Sequence, residues 1–174
     1  MDKIKLPSSV RVLTIDPGLH GTGWALWPCI SSNPNQFTPP SCWGVLQANA
    51  ANWQDKSLIL CSTLAELLKK LNVYQLVIEM PEVWTTGKSH AAATSGDLHK
   101  LTYLIGGFSL LAELNENTAT RYRPVMISPQ QWKGQMSKEA VIRRIQKRCP
   151  GILDAIGNHE ADAVGMGLAL QGVL

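Results

Sequence analysis

The chain has 174 residues, of which 45% are hydrophobic, and a formal net charge of +3. A chain of this length can bury one sizeable core but is short for two ordinary domains, so we expect a single domain over residues 1–174. It contains no uninterrupted apolar run of about 18 residues, so we expect no association with a membrane. The four cysteines form no C-x-x-C pair, which argues against a zinc knuckle or a disulfide framework; they are Cys29, Cys42, Cys61 and Cys149.

The first part of the chain has the pattern of a strand meander. Val10–Asp16 is apolar and β-branched and stops at Pro17-Gly18, as a buried strand does. A second strand is predicted over Gly21–Trp27. The proline-rich stretch Pro28–Ser41 is a long loop, and a third strand follows near Trp43–Leu46.

Helices and strands alternate in the rest of the sequence. Apolar residues recur at helical spacing over Trp53–Leu71, and a buried strand over Val73–Glu79 again ends in an acid. The predicted helix Asp97–Leu114 is apolar on nearly every side, so it needs burial beyond one sheet face. The remaining predicted elements are a strand over Arg121–Ile127, a turn at Pro129–Trp132, a helix capped by Ser137 and running to Arg148, and a helix over His159–Leu170. This order predicts an α/β fold with a mixed sheet.

Positive charge is concentrated in one segment. Residues 121–148 hold eight Lys and Arg against one Glu, a net charge of +7, so the remainder carries −4. This division suggests a basic face for a polyanion and an acidic remainder that includes a cation site. An ordinary solvated helix face explains the basic segment equally well.

Two acids occupy the positions where sites form in α/β sheets. Asp16 and Glu79 each follow directly on an apolar strand, and the carboxyl ends of neighbouring parallel strands line such sites. No cation follows either acid closely in the sequence. Three glycines after the first strand leave room for a backbone to approach a ligand; they are Gly18, Gly21 and Gly23.

A third group of candidate residues opens the last predicted helix. His159 and Asp162 are three residues apart and project from the same face. Small residues at Ala161, Ala163, Gly165 and Gly167 let this helix lie close to the sheet. Acids in a first turn also favour the helix dipole, which is the purely structural explanation. Three converging carboxylates repel one another unless a cation joins them, and oxygen ligands indicate Mg²⁺ or Mn²⁺.

Four stretches follow one another at domain-length spacing: Ile15-Asp16-Pro17-Gly18 with Thr22-Gly23-Trp24-Ala25; Val77-Ile78-Glu79; Ser128-Pro129 with Trp132-Lys133 and Ser137-Lys138-Glu139-Ala140-Val141; and His159 to Ala163. Together they resemble the successive motifs of the RuvC family of Holliday junction resolvases. Each motif alone is weak, but four in order over nearly the whole chain are specific.

The resemblance implies a ribonuclease-H-like α/β fold, a mixed β-sheet flanked by helices. It also implies a homodimeric, Mg²⁺-dependent crossover junction endodeoxyribonuclease that makes paired nicks in branched DNA, with two Mg²⁺ ions in each active site and Mn²⁺ as a substitute. We expect such an enzyme in the cytoplasm of a prokaryotic cell or of a phage-infected host. Carried over by position, Asp16, Glu79 and Asp162 are the carboxylate ligands, and His159 fills a position that the family gives to Asp or His.

The resemblance also suggests which residues contact DNA. Lys133 and Lys138 match basic positions of the family. Arg143, Arg144 and Lys147 extend that charge along one helix, where a solvated face explains them equally well. The family carries an aromatic residue shortly after its glutamate, and here the nearest is Trp84, for which base stacking, core packing and dimer packing all remain open.

The helix Asp97–Leu114 is the predicted dimer interface, because Gly106 and Gly107 would let a second backbone come close. Phe108 and Leu111 are the side chains that we expect there.

Other functions share parts of this pattern. A nuclease of the same fold for other branched DNA or RNA–DNA hybrids needs the same acids. The phosphate loop of actin-like and sugar-kinase ATPases also reads Asp-x-Gly-x-x-x-Thr, but those proteins enclose the nucleotide between two lobes. A non-catalytic DNA-binding module would not need acids at all three carboxylate positions.

Overall fold

The structure, a computed structural model, describes residue 6 and residues 10–31, 36–82, 96–115, 123–152 and 157–174. Its strands are β1 (Val12–Asp16), β2 (Thr22–Trp27), β3 (Cys42–Leu46), β4 (Gln75–Glu79) and β5 (Val125–Ile127). Its helices are α1 (Trp53–Leu71), α2 (Asp97–Leu114), α3 (Pro129–Trp132), α4 (Lys138–Arg148) and α5 (Asn158–Leu170). The strands form one sheet in the order β3-β2-β1-β4-β5.

The sheet is mixed, as the sequence predicted. β1, β2 and β3 form an antiparallel meander, whereas β4 pairs in parallel with both β1 and β5. The crossover from the meander to β4 is α1, which begins after Asn52, whose side chain accepts from the backbone N–H of Asp55. It ends at Asn72 in the left-handed region at φ 51°, a conformation that Asn adopts more readily than most residues.

Helices cover both faces of the sheet. Successive side chains of a strand point to opposite faces. Leu13 and Ile15 of β1 therefore pack with the core beneath α1 and α2, whereas Val12 packs with the core beneath α4 and α5. Because β1 is buried on both faces, the residue at its carboxyl end lies at the margin of the core.

Some predicted boundaries were wrong. Pro129–Trp132 is a short helix rather than a turn, because Ser128 and Gln131 form a capping box at its start. The strand predicted over Arg121–Ile127 is described only as Val125–Ile127, and Arg121 lies outside the described residues.

Part of the apolar surface of α2 is exposed. Its buried side chains, which include Phe108 at 0% exposure, pack into the core, whereas Leu110 is 59% and Leu114 69% exposed. A Cβ on Gly107 would lie 2.7 Å from the Sγ of Cys61 on α1. The predictions for Phe108 and Gly107 were therefore wrong, since Phe108 is buried in the core and α1 lies against Gly107.

The cysteines are unpaired, as expected. None of the four forms a disulfide, and Cys149 is buried. Burial raises the pKa of the Cys61 and Cys149 thiols. Of the helices that the structure describes, none is both long and apolar enough to cross a membrane.

Candidate active site

The acids that end β1 and β4 are brought together by strand register. Ile15 of β1 is opposite Ile78 of the parallel strand β4, so the residues that follow, Asp16 and Glu79, are neighbours at the carboxyl edge of the sheet. Side chains an even number of residues apart in a strand point to the same face. Asp16 therefore points to the face of Val12, and Glu79 to the face of Val77, which is the face that carries α5. The predicted convergence of the two acids is confirmed.

Helix α5 brings the histidine and the third acid to the same edge. The Nδ1 of His159 lies 2.9 Å from Oδ2 of Asp16. One turn later, Asp162 accepts from Nζ of Lys138 on α4 at 3.3 Å, and the same ammonium donates to the backbone carbonyl of Asn158. The start of α5 is therefore tied to both β1 and α4.

Close packing of α5 on the sheet depends on glycine. A Cβ on Gly23 would collide with the backbone carbonyl of His159, and one on Gly18 would lie 3.3 Å from the His159 ring. The hydroxyl of Thr14 donates to the carbonyl of Ala163 at 2.8 Å, which fixes the helix on β1. We expected these glycines to make room for a ligand, but the backbone that approaches Gly23 belongs to α5, and the nearest atoms to Gly18 and Gly21 belong to Gly21 and Val45.

A tryptophan to which the sequence analysis assigned no role contacts the second acid. The indole Nε1–H of Trp132 donates to Oε2 of Glu79 at 2.7 Å. The Nζ of Lys133 lies 4.8 Å from the centre of the same indole ring. In the sequence, Trp132 was notable only as the motif residue directly before a candidate DNA-binding lysine. Nothing local linked it to an acid 53 residues away.

Burial and neighbouring negative charge disfavour the charged forms of two acids of the site. Burial, together with the charges of Asp16 and Asp162, raises the pKa of Glu79 to about 7, although Lys133 and the Trp132 hydrogen bond oppose this. Burial, and to a smaller extent the charge of Asp162, also raises the pKa of Asp16. The hydrogen bond to Asp16 raises the pKa of His159. Added positive charge would therefore stabilise Asp16 and Glu79 in their charged forms.

Each carboxylate has a separate partner within the protein. His159 contacts Asp16, Trp132 contacts Glu79, and Lys138 contacts Asp162. Within the described ranges, no three His, Cys, Asp or Glu side chains lie close enough to hold a metal ion as they stand. The chemistry of these side chains still fits a hard divalent cation, because most of the available ligand atoms are carboxylate oxygens. The negative charges of the carboxylates also repel one another, which helps to raise the pKa of Glu79.

The candidate DNA-binding residues that the structure describes lie between the end of α3 and the last turn of α4. Lys133 and Lys138 border the carboxylates. Arg143, Arg144 and Lys147 are exposed further along the helix, and Arg144 also donates to the carbonyl of Leu174 at 2.7 Å. At 1.5 Å per residue, α4 extends this charge over about 15 Å. Trp84 lies outside the described residues.

Comparison with solved structures establishes the fold. The structure of Thermus thermophilus RuvC in complex with a Holliday junction substrate has a TM-score of 0.68 at 15% identity, with 91% of each chain covered. Yeast mitochondrial Holliday junction resolvase Ydc2 has a TM-score of 0.61 at 15% identity, covering 97% of this chain and 82% of that one. Fowlpox virus resolvase with Holliday junction DNA has a TM-score of 0.54 at 16% identity, covering 93% and 97%.

No protein-family model matches the sequence, and no curated protein does. At identities of 15–16%, the structural likeness establishes a ribonuclease-H-like fold and not the reaction. The predicted fold class is thus confirmed by the mixed sheet and its flanking helices.

Proposed function

We propose that this chain is a structure-selective DNA endonuclease that resolves four-way junctions. One observation carries the proposal: Asp16, Glu79, Asp162 and His159 lie together at the carboxyl edge of the sheet. The fold supports it, because structural neighbours from Thermus thermophilus and fowlpox virus are resolvases whose structures include Holliday junctions. The basic helix beside the carboxylates supports a polyanionic substrate.

In this proposal the three acids and His159 hold two Mg²⁺ ions, for which Mn²⁺ substitutes. When bound, such ions acidify an attacking water and neutralise charge that develops on the phosphate. Asp16 is the expected shared ligand, because its carboxylate interacts with Glu79, with Asp162 and with His159. Glu79 and Asp162 would hold the ions from separate sides.

The side chains around the acids have complementary tasks. His159 is 45% exposed while it contacts Asp16, so it can either bind a cation or orient the attacking water. Lys138 and Lys133 supply positive charge on either side of the carboxylates, where a phosphate has to approach.

The remaining basic residues are proposed to contact the DNA backbone away from the scissile phosphate. Arg143, Arg144 and Lys147 are exposed on α4, where the one acidic residue of the helix is Glu139 in its first turn. Phosphate contacts of this type supply affinity and orientation without reading base sequence. Stacking of Trp84 on a base remains a prediction.

Resolution of a junction also requires two nicks made in one binding event. One active site per chain therefore suggests a homodimer with two symmetric sites. The exposed apolar side chains of α2, Leu110 and Leu114, support an interface on that helix. A Cβ added at Gly106 would meet no atom of the described residues within 4 Å, which leaves room for a partner.

The decisive experiment is a cleavage assay on a synthetic four-way junction. We expect paired nicks with 5′-phosphate and 3′-hydroxyl ends in Mg²⁺ or Mn²⁺, and none in Ca²⁺ or chelator. Forks, flaps and RNA–DNA hybrids tested at the same concentrations are matched controls. Preferential cutting of a hybrid would identify a different nuclease of this fold, and absence of any cutting with tight junction binding would indicate a binding module.

A further inference from the structure

One indole links three parts of the candidate site. Trp132 donates through Nε1 to Oε2 of Glu79 at 2.7 Å, and its ring lies 4.8 Å beneath Nζ of Lys133. The edge of the ring packs on α5, where a Cβ on Gly165 would lie 2.7 Å from Cζ3. Gly165 is three residues after Asp162, so the ring meets the same helix that carries this acid.

The position of this indole is fixed by its surroundings. Trp132 is only 5% exposed and belongs to the core beneath α4 and α5. The capping box of Ser128 and Gln131 sets the start of the short helix that ends at Trp132. A buried indole N–H needs an acceptor, and the acceptor that it meets is an acid of the candidate site.

We propose that Trp132 is a positioning residue whose indole N–H fixes the carboxylate of Glu79 for cation binding and whose ring face holds Lys133 beside it. This inference rests on the proposed function. A hydrogen bond to one oxygen restricts rotation of the carboxylate, so Glu79 loses less orientational freedom when a cation arrives. Hydrogen-bond partners of metal-binding side chains commonly have this effect.

Substitution by phenylalanine separates this role from simple packing. Trp132→Phe keeps an aromatic ring for the core and for Lys133 but removes the N–H. The matched control is Trp27→Phe, because Trp27 is also buried beneath α5 and its N–H donates at 3.0 Å to the neutral hydroxyl of Thr14. Both variants lose a buried indole hydrogen bond, but only one loses a bond to an acid of the site.

Mn²⁺ binding is measured without DNA by electron paramagnetic resonance, together with the unfolding midpoint of each protein. We expect comparable losses of stability in the two variants. The affinity for Mn²⁺ should fall ~10- to 100-fold in Trp132→Phe and remain unchanged in Trp27→Phe. Junction affinity should persist in Trp132→Phe and weaken in Trp132→Leu, which also removes the ring face beneath Lys133.

A spectroscopic measurement on the wild-type fold covers the case in which a variant is too unstable to study. The Trp132 indole resonance in ¹⁵N-labelled protein should shift on addition of Mg²⁺ and in Glu79→Gln, whereas the Trp27 resonance should not. An unmoved Trp132 resonance in Glu79→Gln, or wild-type Mn²⁺ affinity in a folded Trp132→Phe, overturns the inference alone. Wild-type protein that binds no Mn²⁺ overturns the proposed metal-dependent function as well.

Discussion

Each acid of the candidate site contacts a different partner within the protein. Asp16 contacts His159 and Glu79 contacts Trp132, whereas Asp162 contacts Lys138. This arrangement gives each carboxylate a partner within the protein and keeps all of them near one edge of the sheet. The charges that disfavour one another here are those that a divalent cation would neutralise.

Removal of one carboxylate charge should separate cleavage from binding. Asp16→Asn or Asp162→Asn removes a proposed metal ligand while keeping the shape of the side chain, so we expect cleavage of the junction to fall by several orders of magnitude. Junction binding should persist or improve, because a negative charge near the phosphates is lost. Gel-shift and cleavage assays on the same junction measure both. Near-normal Mg²⁺-dependent cleavage in either variant would rule out the two-metal proposal.

The acids also make the cation-free protein sensitive to pH. The pKa of Glu79 is raised from 4.5 to about 7, so the folded state binds this proton more tightly than the unfolded state does. Its contribution to stability is therefore present at low pH and is lost as pH rises from about 4.5 through 7. The raised pKa values of Asp16 and His159 act in the same direction.

Glu79→Gln should therefore stabilise the cation-free protein at pH 8. At 1.36 kcal/mol per pKa unit, the gain is at most about 3 kcal/mol relative to wild type, and it should shrink towards pH 5. Urea unfolding in chelator at both pH values measures it. Glu66→Gln, at an exposed site on α1, is the control and should change neither value. A pH-independent effect of Glu79→Gln would contradict the raised pKa.

At the scale of elements, the packing of α5 on the sheet determines where His159 and Asp162 lie in the site. Gly23→Ala would force the added methyl against the backbone of His159, which cannot yield without moving the start of α5. We expect a loss of stability of about 1–3 kcal/mol and a loss of cleavage. Gly21→Ala is a graded control, because its nearest atoms are side-chain carbons of Val45 and His159 at 3.1 and 3.5 Å. If both variants cleaved the junction as well as the wild type, the exact position of α5 on the sheet would not matter for cleavage.

The segment from α3 to α4 is where the charge of the chain should act on DNA. Lys133→Ala should weaken junction binding for all sequences and reduce the slope of log K against log salt by about 1. Lys138→Ala should do the same and also reduce cleavage, because Lys138 contacts Asp162. Fluorescence anisotropy at several salt concentrations measures the slope. Lys70→Ala removes an equal charge from α1 on the other face of the sheet, and an equal effect there would indicate a different DNA-binding face.

At the scale of the whole molecule, the exposed apolar side chains of α2 are available to a partner. Leu110 and Leu114 on α2 are 59% and 69% exposed, so Leu110→Glu or Leu114→Glu should convert the proposed dimer to a monomer. Sedimentation at micromolar concentration measures the mass. Leu58→Glu on α1, at a side chain that is 60% exposed, should leave the dimer intact. A wild-type monomer that still makes paired nicks would contradict the dimer, and monomers from Leu58→Glu alone would move the interface to α1.

Local sequence determined the elements and the general kind of site. The β-branched runs that end at Asp16 and Glu79 predicted two buried strands with acids at their carboxyl ends, and parallel pairing then required these acids to be neighbours. The spacing of His159 and Asp162 likewise predicted a shared helix face. These features follow from periodicities of two and 3.6 residues, which the sequence displays directly.

Tertiary structure decided what each of these groups contacts. Nothing local indicates that Trp132 donates to Glu79, or that Gly23 accommodates the backbone of His159, because both contacts join segments far apart in the chain. Phe108 was wrongly predicted to lie at the interface for the same reason. The sequence of a helix that is apolar on all sides does not show which side packs into the core. In the structure, packing against α1 and the sheet buries Phe108 and leaves Leu110 exposed.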